Sequence, residues 1–161
     1  MVTVKAFSLI LPVILIAATL LTVRADVTDA LIGKWSGTAT ATSRGVTIPQ
    51  KITTVFQRLE NSGLIATTTV KIAGQPTAIG TTRYHDDGKV DGELKRNGAV
   101  VCVVSGSWGR TGKVLKVTVQ ASGMFPSFRL TSKTTLVSAD RITSVGTASN
   151  GNRSVESLRR R

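Results

Sequence analysis

Ionisable side chains crowd together in one segment, Tyr84-His85-Asp86-Asp87-Gly88-Lys89-Val90-Asp91-Gly92-Glu93. A histidine oriented by a carboxylate can act as a general base toward a hydroxyl. Adjacent residues of a strand point to opposite faces, which argues against His85 working with Asp86. Asp-Asp-Gly is also common hairpin chemistry, with aspartates accepting bonds from nearby amides. The spacing after Gly88 does not fit a calcium loop, which places its glutamate at the twelfth position. The only thiol, Cys102, lies in Val100-Val101-Cys102-Val103-Val104, and no activating group stands beside it in the sequence. It reads as a core thiol. A single cysteine excludes an intrachain disulfide framework and a cysteine zinc site, and a single histidine excludes a multi-histidine centre. We therefore expect a non-enzymatic protein with no catalytic residues, no metal and no cofactor.

The elements that position these residues begin after a secretory signal. Met1 to Lys5 is a short basic start, Ala6 to Val23 is uncharged and largely apolar, and Val23-Arg24-Ala25 is the expected cleavage site, with an uncleaved membrane anchor as the rival reading. Cleavage after Ala25 predicts a signal peptide over 1–25 and a secreted, periplasmic or extracellular product that is not integral to a membrane. The chain of 161 residues carries a net charge of +12, and removing Lys5 and Arg24 with the signal leaves +10. An apolar content of 41% excludes a low-hydrophobicity disordered chain.

From residue 33 onward, β-branched residues alternate with polar ones, and turn signals recur at Arg44-Gly45, Gly74, Asp87-Gly88, Asn97-Gly98 and Gly112. Asn97-Gly98 and Asp87-Gly88 suit turns that need positive φ. The pattern predicts about nine strands, at 33–42, 46–59, 64–72, 77–85, 89–95, 99–108, 113–121, 125–137 and 141–148. Strands joined by tight turns pair with their neighbours. We therefore expect an all-β, antiparallel up-and-down meander closing into a barrel of 8–9 strands, with a two-sheet sandwich as the alternative. The barrel domain spans 26–148. Residues 149–161 break the alternation and read as a flexible basic tail, in which Arg153 and Arg159 to Arg161 outnumber Glu156.

Leu31-Ile32-Gly33-Lys34-Trp35-Ser36-Gly37 opens the first strand, and an early Gly-x-Trp at the head of a meander resembles the lipocalin and wider calycin families, avidins included. The resemblance implies that Trp35 closes one end of the barrel and stacks with a basic side chain of the last strand, for which Arg141 is the candidate. Gly106-Ser107-Trp108 is similar to a motif of small bacterial lipocalin-like exported domains. The second and third lipocalin motifs find no match, so an architecture is implied and a particular ligand is not.

Alternate residues give the inward faces. They comprise Trp35, Gly37, Ala39 and Ala41; Ile52, Thr54 and Phe56; Leu64, Ala66, Thr68, Val70 and Ile72; Val101 and Val103; Leu115, Val117, Val119 and Ala121; Phe128, Leu130, Ser132, Thr134 and Leu136; and Ile142, Ser144 and Gly146. Many are small or hydroxylated, which leaves two expectations open: a modest, partly polar pocket at the open end, or a narrow, flattened barrel in which small residues let the walls approach. Candidate lining residues are Trp35, Phe56, Thr68, Phe128 and Ser132, for a small apolar or amphipathic ligand. Lys34, Lys51, Lys71, Lys116, Lys133 and Arg141 fall on outward positions, dispersed. An alternative role is thus contact with anionic envelope surfaces. Specific nucleic-acid binding is not expected, because exposed aromatics are scarce.

Overall fold

A computed structural model describes residues 30–59, 63–111, 113–123 and 126–161. The predicted signal peptide and its cleavage site lie outside the described residues. The strands are β1 (Gly33–Ser43), β2 (Val46–Arg58), β3 (Leu64–Lys71), β4 (Ala78–Tyr84), β5 (Lys89–Arg96), β6 (Ala99–Thr111), β7 (Val114–Gly123), β8 (Phe128–Ser138), β9 (Arg141–Ala148) and β10 (Arg153–Arg160). Each pairs antiparallel with its sequence neighbours, and β1 pairs with β10 to close the barrel.

Three expectations are corrected. The barrel has ten strands rather than 8–9, and a single closed sheet replaces the sandwich alternative. The domain does not end at 148, because the expected tail contains β10. That strand has ordinary period-two geometry, with Ser154, Glu156 and Leu158 inward, but two of its three inward residues are polar. Closure accounts for its order: β10 satisfies the free backbone edges of both β1 and β9.

Local chemistry explains the turns. Arg44 and Gly45 both take positive φ, at 48° and 80°, as do Asn97 and Gly98, at 51° and 78°. These are the conformations of two-residue hairpins whose twist matches that of the flanking strands. Curvature has a different source. A Cβ at Gly37 or Gly106 would collide with the carbonyl oxygen of Ser157 or Thr118 on the adjacent strand. These glycines let neighbouring backbones close up where the barrel bends.

The inward sets hold on β1, β2, β3, β7, β8 and β9. On β6 they are reversed: Cys102 and Val104 are buried, whereas Val103 is 47% exposed and the expected Val101 is not in the core set. Leu94 pairs with Cys102 but Lys95 with Val100, so Val101 is an extra residue that shifts the phase. Apolar residues occupy both faces of this stretch, and hydrophobicity alone gives no register there.

Candidate ligand-binding interior

One end of the barrel is sealed by Trp35, which is fully buried and donates from Nε1 to the Leu31 carbonyl at 2.9 Å. The guanidinium of Arg160 lies 4.6 Å from the centroid of the Trp35 ring. Its Nη1 donates to the Ile32 carbonyl at 3.1 Å, and its Nη2 donates to the Ala30 carbonyl. The chain entering β1 is thereby fastened across the barrel end. The expected partner, Arg141, is corrected to Arg160: Arg141 is exposed on β9, opposite Arg159. The resemblance implied a cation from the last strand, and the last strand is β10.

Register builds the interior in rows across the sheet. Next to the Trp35 end, Ile52, Gly37, Leu158, Ile142 and Leu136 follow one another from β2 through β1, β10 and β9 to β8. One step further, the corresponding residues are Gln50, Ala39, Glu156, Ser144 and Thr134. The next row is Ile48, Ala41, Ser154, Gly146 and Ser132. Burial thus passes from aliphatic to polar within two residues. The methyl group of Ala39 is the only side chain between Gln50 and Glu156 in their row.

Some polar groups of the interior satisfy one another. Thr134 and Ser144 hydroxyls are 2.8 Å apart, and those of Thr54 and Thr68 are 3.1 Å apart. Others do not. Both carboxyl oxygens of Glu156, both amide atoms of Gln50 and the hydroxyl of Ser154 are buried without a hydrogen-bond partner. Glu156 is only 2% exposed and Gln50 3%. Burial pushes the Glu156 carboxyl up to about 8, so it is predominantly neutral at pH 7 and can both donate and accept. Tyr84 is buried as well; burial and then the Glu156 charge hold its phenol far above the ordinary range.

The structure places all five expected lining residues, Trp35, Phe56, Thr68, Phe128 and Ser132, inside the barrel. Ser132 belongs to the row of Ser154, and Thr68 lies across Thr54 from Trp35. Sequence reasoning missed Gln50, Ser154 and Glu156. Gln50 was in phase with Ile52, Thr54 and Phe56, and that parity was the available signal.

The acidic segment around His85 lies outside this interior. Asp91 accepts from Arg83 at 3.1 Å and lies 2.5 Å from His85 Nε2, while Lys89 pairs with Asp87 at 2.7 Å. His85 is therefore matched with a carboxylate of β5 and not with Asp86 or Asp87. Partial burial opposes ionisation of Asp91, but bonds from His85 and Arg83 outweigh it and hold the carboxyl below its ordinary value. Arg83, His85 and Asp91 are 39–46% exposed and Lys89 and Asp87 more so, which makes them wall ion pairs on the outside of the barrel. Trp108 Nε1 donates to the His85 carbonyl at 2.9 Å and its ring meets Tyr84 edge-on, fixing that corner to β6. The Cys102 thiol is buried, and burial pushes it up to about 11.

The comparisons with known proteins bear on the fold. Rv2717c from M. tuberculosis is similar, with a TM-score of 0.61 at 15% identity over 88% of this chain and 99% of that one. A redesigned β-barrel, b11L5F_LGL, gives 0.51 at 17% identity over 87% of this chain and 99% of that one. Another redesigned barrel, mFAP1 bound to DFHBI, gives 0.50 at 14% identity over 85% of this chain and 100% of that one. No family model and no curated protein sequence matches. At these identities the likeness is one of fold, a closed antiparallel β-barrel.

Proposed function

We propose that this is a non-catalytic exported binding protein that holds a small amphipathic molecule inside its barrel. The observation that carries the reading is the set of five buried polar atoms on Gln50, Ser154 and Glu156 without partners. An unpaired buried polar group costs about 1–3 kcal/mol. A protein that retains several within one pair of rows has a reason other than stability. A bound molecule carrying both hydrogen-bond donors and acceptors would satisfy them, with its apolar body against Ile52, Leu158 and Ile142. The small residues Gly37, Ala39, Ala41 and Gly146 keep the surrounding wall low. The mFAP1 barrel, bound to DFHBI, supports the idea that a barrel of this build accommodates such a guest. Export rests on the signal-like residues 1–25.

Native mass spectrometry of protein isolated from its source tests the reading. The expected result is a retained small molecule that is lost in a Gln50→Leu/Glu156→Leu variant that still folds. Equal retention by that variant, or an apo mass throughout together with failure to take up any amphipathic compound from a broad library, would overturn it.

A further inference from the structure

The outer wall shows a segregation of charge that the linear sequence hides. Among the described residues, the outward acids Asp86, Asp87, Asp91 and Glu93 all belong to β5 and the turn that precedes it. The outward positions of β8, β9 and β10 carry Arg129, Lys133, Arg141, Arg153 and Arg159 with no acid among them. Asp140, in the turn between β8 and β9, is the acid at the margin, and its carboxylate accepts the Ser138 hydroxyl.

Register places like charges face to face. Lys51 and Lys71 are opposed in this way on β2 and β3, and on the β8–β10 wall Arg141 stands directly opposite Arg159 and Lys133 directly opposite Lys116 of β7. Like charges so placed weaken a sheet. On the same wall, exposed valines stand among the cations: Val137 is 48%, Val145 38% and Val155 40% exposed. Val145 lies between Lys133 and Val155 in one row, so two apolar side chains and a cation are contiguous.

We propose that the β8–β10 wall docks on an anionic lipid surface. Lipid phosphates would relieve the opposed cations, and the valines would lie between headgroups at the boundary of the acyl region. Single-stranded nucleic acid fits less well, because it is held by aromatic stacking platforms and no aromatic residue occupies an outward position on these strands. The proposal is independent of the interior site.

Vesicle co-sedimentation tests it, using phosphatidylcholine alone and phosphatidylcholine mixed with phosphatidylglycerol. Binding is expected only to the mixed vesicles, and it should weaken as salt is raised. At about fivefold per cation near an anionic surface, Arg141→Ser/Arg159→Ser should weaken binding by on the order of 25-fold. Lys51→Ser/Lys71→Ser removes the same charge from another opposed pair, on β2 and β3 away from this wall and its valines, and should change binding far less. Val145→Ser/Val155→Ser should weaken vesicle binding several-fold while leaving attraction to a soluble polyanion such as heparin unchanged. Thermal melting of each variant establishes that the barrel is intact. Equal losses for the two charge pairs would overturn the proposal by showing only long-range attraction. Vesicle binding indifferent to the valines, or matched by heparin or single-stranded DNA, would overturn it in favour of a soluble polyanion.

Discussion

Replacing Glu156 by glutamine probes the buried polar row directly. The carboxyl titrates at about 8 in the folded barrel against an ordinary value of 4.5. Between those two pH values the folded chain keeps a proton that the unfolded chain releases. Stability from this group is therefore complete below 4.5, declines as pH rises through the window, and levels off above about 8. At about 1.4 kcal/mol for each pH unit, the whole window amounts to on the order of 5 kcal/mol. Entry of water or a partner to the carboxylate lowers that ceiling. The effect remains large against a total stability of about 5–15 kcal/mol for an ordinary domain.

Glutamine has nearly the same shape, cannot ionise, and leaves every other titrating group in place. Urea unfolding of both proteins, from below pH 4.5 to above pH 8, gives a difference curve in which Asp87, Asp91 and Asp140 cancel. Those carboxyls are held low by their partners, so their stabilisation is lost as pH falls through the acid range, outside the Glu156 window. The Glu156→Gln protein is expected to gain on the wild type progressively with rising pH, by several kcal/mol at the alkaline plateau. A flat difference curve would show that the carboxyl is not desolvated. A curve of opposite slope would show that a cation holds it ionised, and either result would refute the polar row as described.

Three further outcomes follow from the geometry. Arg160→Ala removes the cation over Trp35 and two carbonyl contacts and should cost about 1–2 kcal/mol in urea unfolding, whereas Arg141→Ala should stay within about 0.5 kcal/mol of wild type. Gly106→Ala drives a methyl group into the Thr118 carbonyl and should cost more than about 2 kcal/mol or prevent closure, seen as a lost cooperative melt. Cys102 should react with a thiol reagent at the rate of barrel opening; reaction in native buffer as fast as in urea would contradict its burial.

What the sequence revealed, and what it hid, follow from one physical rule. Strands such as β3, where Leu64, Ala66, Thr68 and Val70 alternate with outward residues, were legible because burial on one face imposes parity. The Arg44-Gly45 and Asn97-Gly98 turns were legible because few residue pairs tolerate two positive φ values. On β6 the rule failed for lack of contrast, since apolar residues fill both faces and a bulge resets the phase. On β10 it failed through inversion: Ser154 and Glu156 point inward while Val155 is 40% exposed outward. A segment read by hydrophobicity is set aside as a tail when it places its carboxylate in the core. The identity of the cation over Trp35 was lost with it, because Arg160 belongs to the same strand. Closure supplies what composition could not. Once β1 must find a partner, Gly37 opposite Leu158 fixes the parity of β10, and that parity carries Glu156 inside whatever its hydrophobicity. Residues that break the binary pattern at positions dictated by register are where a fold accepts a cost in stability. Gln50 and Glu156, both inward and both flanking Ala39, meet that criterion.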